Sequence, residues 1–117
     1  MALNAVATRQ ESETLFSSDD ALGAGDVYES DVREVAGYNA VAFLGISDQP
    51  FEVRIEEAGS LTGPFARTAT LTSALTGAKY VVSQAVLPYG SYMRTRVANL
   101  GASQQELSFH GLGIPES

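Results

Sequence analysis

The chain has 117 residues, 14 acidic against 7 basic side chains, a formal charge of −7, one histidine, no cysteine and no tryptophan. Without cysteine it can hold neither a disulfide nor a thiolate metal site nor a cysteine nucleophile, and the acidic balance argues against direct contact with nucleic acid phosphates. The length fits one domain, and no apolar run approaches the roughly 20 residues of a membrane helix.

The first residues, MALNAVATRQESE, lack the basic start and apolar core of a secretory signal. The charge is concentrated just beyond them. Residues 11–34 carry eight acids against Arg33 alone, while the rest of the chain balances six against six. Such a segment reads either as a solvated stretch or as an acidic arm that docks on a basic neighbour. Its apolar residues, among them Leu15 and Phe16, are thinly scattered, which predicts an extended arm over residues 1–26 ahead of a domain at 27–117. Within that arm Glu13–Ser18 is open to a strand reading with Leu15 and Phe16 as its apolar anchors, and Asp19 and Asp20 are the charged contacts. Its removal is expected to leave the fold intact.

From residue 27 to 35, VYESDVREV alternates poorly, which predicts a weak or edge strand. The stretch EVAGYNAVAFLGISDQPFEVRIEE at 34–57 organises the remainder of the chain. Asn39 to Ile46 is nearly all apolar and predicts a strand covered on both faces. Ser47, Asp48 and Pro50 break it, and Phe51, Val53 and Ile55 then alternate with Glu52, Arg54 and Glu56, the signature of a half-buried strand. Further strands are predicted at Phe65–Thr72, Tyr80–Leu87, Ser91–Asn99 and Gln104–Leu112, separated by Gly- and Pro-bearing turns. Gly111, Gly113 and Pro115 read as the end of regular structure. Turn signals every 8–12 residues or so predict an all-β fold, a single antiparallel β-sandwich of seven to eight strands. Its predicted core contains Val41, Phe43, Phe51, Val53, Ile55, Val82, Val97, Leu107 and Phe109.

Chemistry is harder to find. His110 is the only histidine, and a lone histidine in a terminal strand is usually a surface or packing residue. The acids of 19–34 lack calcium-loop spacing, and the short Gly-rich stretches match no phosphate-binding fingerprint. No catalytic residue, metal site or cofactor is predicted, so the chain reads as a non-enzyme. The clearest polar feature outside the acidic segment is Tyr92, Arg94 and Arg96 on one face of a strand. The two arginines either pair with Glu52, Glu56 or Glu57 on a neighbouring strand or form an interface patch with Tyr92.

From Gly37 onward the chain resembles small β-sandwich proteins of tailed-phage virions, namely head decoration (cement) proteins and some tail accessory proteins. The residues that carry the resemblance are Val35–Tyr38 leading into the apolar strand, Ser47-Asp48 ahead of Phe51–Ile55, the loop Gly59–Phe65, and Gly90–Asn99. The loop at 59–65 lacks the aspartate and tryptophan expected of close relatives. The resemblance implies a jelly-roll-like clip on the outer capsid surface, made in the host cytoplasm, trimeric, bound to the major capsid protein, and without contact to nucleic acid or membrane. An alternative from another class is a tail- or fibre-associated module that binds carbohydrate or a cell surface. The missing tryptophan counts against it, because sugar faces stack on aromatic rings.

Overall fold

In the computed structural model, which describes residues 11–115, the chain forms ten strands and, among the described residues, no helix. They are β1 (Glu13–Ser18), β2 (Val27–Glu29), β3 (Arg33–Glu34), β4 (Tyr38–Ser47), β5 (Phe51–Ala58), β6 (Ala66–Thr72), β7 (Ala74–Thr76), β8 (Lys79–Val86), β9 (Tyr92–Asn99) and β10 (Leu107–Pro115). All pairings are antiparallel. One sheet runs β1-β10-β4-β8-β7 and the other β2-β9-β5-β6, with β3 also on β9.

Ten strands reduce to eight principal ones. β2 and β3 are two halves of a single edge strand on β9, and β7 is a three-residue addition to β8. Ser30 holds the halves in line, its N–H donating to the Thr95 carbonyl while its Oγ accepts from the Thr95 N–H. What remains, β1-β10-β4-β8 facing β2-β9-β5-β6, is the double Greek key of a jelly roll.

Alternation decides what is inside. On β5, Phe51, Val53 and Ile55 are completely buried while Glu52, Arg54 and Glu56 point outward, and Met93, Thr95 and Val97 on β9 repeat the pattern. All nine predicted core residues are buried. Phe16, Phe43 and Phe109 form a stacked row, with ring centroids 6.1 and 6.0 Å apart, in the range where aromatic pairs attract.

Three expectations need correction. Residues 13–26 are part of the sandwich and not an arm. β1 is an edge strand on β10, and Leu15 and Phe16 are core residues, 4% and 2% exposed. The pairing register shifts between Thr14 and Phe16, and a bulge of this kind lets two consecutive side chains face inward. The Arg33 guanidinium donates to the Leu15 carbonyl at 2.9 Å, tying β1 to the opposite sheet. Leu22 and Gln104 bond reciprocally, the Leu22 N–H to Gln104 Oε1 and the Gln104 N–H to the Leu22 carbonyl, and Asn99 Nδ2 donates to the Gly23 carbonyl. Residues 1–10 of the expected arm lie outside the described residues.

Second, β4 is covered on one face only. Val41, Phe43 and Ser47 are buried, but Leu44 on the opposite face is 46% exposed. Third, Gly111 and Gly113 do not end regular structure; they lie inside β10, which continues to Pro115. A Cβ on Gly111 would lie 2.8 Å from both the Phe16 and Phe43 rings, and one on Gly113 2.6 Å from the Tyr38 ring. These glycines are there because aromatic rings pass over the strand.

Candidate functional site

The two sheets present outer faces of opposite character. On the outside of β2-β9-β5-β6, Glu52 pairs with Arg54, Arg94 with Glu56, and Arg96 with Glu29 at 2.8 Å and Glu56 at 3.4 Å. The Arg94 guanidinium also lies 4.2 Å over the Phe65 ring, a cation–π contact. Cross-strand register produces this lattice, since Arg96 stands opposite Arg54 on one side and Glu29 on the other, and Arg94 opposite Glu56. The arginines of the predicted patch are thus engaged within their own sheet. Tyr92 beside them is half-buried.

The outside of β1-β10-β4-β8-β7 is different. Ala42, Leu44 and Ile46 on β4 stand opposite Ala85, Ser83 and Val81 on β8, and opposite Leu112, His110 and Ser108 on β10. None carries a fixed charge. The first ion pair along this face, Lys79 with Glu106, stands where β8 and β10 begin. A shallow depression of about 520 Å³ opens here, lined by Thr14, Ala42, Leu44, Ser83, His110 and Leu112 among others. Phe43 touches it but is 2% exposed, so no open ring face is offered for a sugar to stack on. Sequence reasoning missed this surface. Its only trace is the apolar character of the even-numbered positions 42, 44 and 46, which read as a covered strand.

His110 lies within this face. Its Nε2 is 3.3 Å from Ser108 Oγ and 3.9 Å from Asp19 Oδ1. Both neighbours address the same ring nitrogen. A catalytic triad needs the carboxylate on one nitrogen and the hydroxyl on the other, so these three residues do not form one. Among the described residues no group of three or more His, Asp or Glu side chains gathers as metal ligands.

The acidic residues collect on one flank, where β1 and the β2–β3 edge lie side by side. Asp19, Asp20, Asp26 and Asp31 are exposed there, while Glu13 pairs with Arg33 and Glu29 with the arginines of β9. Asp19 and Asp20 follow β1 and lie apart from Tyr92, Arg94 and Arg96, which face outward from the opposite sheet. The predicted site residues therefore divide among three places: Leu15 and Phe16 in the core, Asp19 and Asp20 on the acidic flank, and Tyr92, Arg94 and Arg96 on the charged face.

No protein-family model matches the chain, and no curated protein does. Among solved structures it is similar to the PBSX exported protein XepA, with a TM-score of 0.71 and 20% identity over 92% of this chain. It spans 38% of the XepA chain. It is also similar to PirA, with a TM-score of 0.54 and 17% identity, over 85% of this chain and 95% of PirA. At these identities the likeness is one of fold.

Proposed function

We propose that this is a structural protein of a phage particle, attached to the outer surface of the capsid as a decoration or cement protein, with the major capsid protein as its partner. The observation that carries this reading is the fold likeness to the PBSX exported protein XepA over nearly the whole chain. The surface that meets the capsid is the acidic flank. Exposed Asp19, Asp20, Asp26 and Asp31 belong to the stretch 11–34 that carries the chain's whole excess of −7, while the charges outside that stretch cancel, and such a flank attracts a basic neighbour.

The purified protein is expected to co-sediment with capsids of its own phage that lack it, and binding should weaken as salt rises, because exposed charges more than a Debye length of about 8–10 Å apart are screened. Asp19→Asn with Asp20→Asn should lower the affinity further. Failure to co-sediment at low salt would sink the proposal.

A further inference from the structure

We propose that the uncharged outer face of β1-β10-β4-β8-β7 docks a second copy of this chain, face to face, around a two-fold axis parallel to the strands. The surface is a property of the purified chain, and the inference stands whether or not the protein is a virion component.

Three observations carry it. The first is what the face leaves uncovered. Leu44 is 46% exposed and Leu112 36%, side by side with Ala42, Ala85 and Ser83, and no described element lies over them. An apolar patch continuous across the middle strands of a sheet marks an interaction surface, whereas isolated exposed apolar residues need no explanation. The second is its size. Five strands at roughly 4.8 Å spacing and roughly 25 Å of strand length give about 600 Å² per copy and about 1,200 Å² for a pair, at the lower limit of a specific interface. Leu44 and Leu112 line a shallow depression together with Ala42, Ser83 and Ala85, so one copy's leucines have a recess to enter. Two flat antiparallel sheets stacked about 10 Å apart is the packing already used inside this sandwich.

The third is charge. A two-fold interface sets each residue of one copy against a different residue of the same surface on the other, and an uncharged surface does so with no like charges to repel. Across β10, β4 and β8 the face meets this condition, with Asp19 at its β1 margin, 3.9 Å from His110 Nε2, while the charged outer face of the other sheet, already internally paired, does not need a partner. The acidic flank then fixes the axis. An axis across the strands would lay one copy's β1 flank on the other's. An axis along the strands lays it over the partner's β7 edge instead, so that the two β1 edges stand four strand spacings or roughly 19 Å apart, well beyond the roughly 8 Å screening length of physiological salt. Lys79 stands on that side of the sheet, where β8 begins.

Sedimentation equilibrium of the full chain tests this. At roughly 100 μM a dimer, twice the 12.3 kDa chain mass, is expected. It should tighten as sodium chloride rises, opposite to the salt response of an acidic flank binding a basic capsid, because salt screens the remaining flank repulsion. Leu44→Asp should weaken pairing by about 100-fold or more, since each copy would bury an unpaired carboxylate. Ser83→Arg, at an exposed position, should do the same while its melting curve matches the parent's at dilutions where both are monomers, which guards against a folding defect in the first variant. Arg54→Gln on the opposite face should leave the dimer intact. A monomer throughout, an assembly of three, or a dimer that survives both Leu44→Asp and Ser83→Arg would overturn the inference.

Discussion

Removing residues 1–18 is expected to unfold the protein. The deletion takes away β1, and with it Leu15 and Phe16 from the core. Truncating one buried leucine costs about 2–5 kcal/mol and one buried phenylalanine about 3–5 kcal/mol. Together these approach the whole stability of a small domain, about 5–15 kcal/mol. The loss does not stop there, because β10 would become an edge strand with unpaired backbone groups and the Phe43 ring would lose its stacking partner Phe16. Phe16→Ala alone should lower stability by about 3–5 kcal/mol. Circular dichroism with thermal melting checks both. A truncated chain that keeps its sheet spectrum and its melting temperature would show that β1 is dispensable.

The second large effect is expected from the smallest substitution, one added methyl group. Gly111→Ala places a Cβ 2.8 Å from ring carbons of Phe16 and Phe43, closer than such atoms pack. Neither ring can step aside, since Phe43 is held between Phe16 and Phe109 in the stacked row. Overpacking of this kind costs about 1–3 kcal/mol, and the rigid surroundings place Gly111→Ala at the upper end. About 4 °C of melting temperature per kcal/mol for a chain of this size gives a fall of roughly 10 °C. Gly59→Ala is the matched control: a Cβ there meets nothing within 4 Å, and the backbone is not in the left-handed region. It should melt within a degree or two of the parent, as surface substitutions do. Equal melting temperatures for Gly111→Ala and Gly59→Ala would mean that the ring row is looser than the structure describes.

Much of the sandwich was legible because its central strands obey one rule. β5 and β9 alternate cleanly, and every residue they were expected to bury is buried. The strands whose place or extent was misread break that rule for local reasons. In β1 a bulge puts adjacent Leu15 and Phe16 on the same side, so no period of two is visible, and the surrounding acids make the segment look like a solvated tail. In β10 glycine occupies inward positions, which reads as a turn until the rings crossing it are seen.

The surfaces divide in the same way. The pairing of Arg94 and Arg96 with a neighbouring strand was one of two readings their sequence allowed, because opposite charges on paired strands find each other whenever register permits. The apolar outer face was not readable. Ala42, Leu44 and Ile46 look the same in a sequence whether a second layer covers them or water does. Which of the two holds depends on what packs over the sheet, and an apolar run carries no record of that.

The claim that this is a structural component of a phage capsid is tested most directly by electron cryo-microscopy of purified particles, grown with and without this protein. The expected result is additional density on the outer capsid surface, of a size and strand layout that fits the ten-stranded sandwich, present in the first sample and missing from the second. Identical capsid surfaces in the two samples, with the protein recovered only in the supernatant, would contradict it.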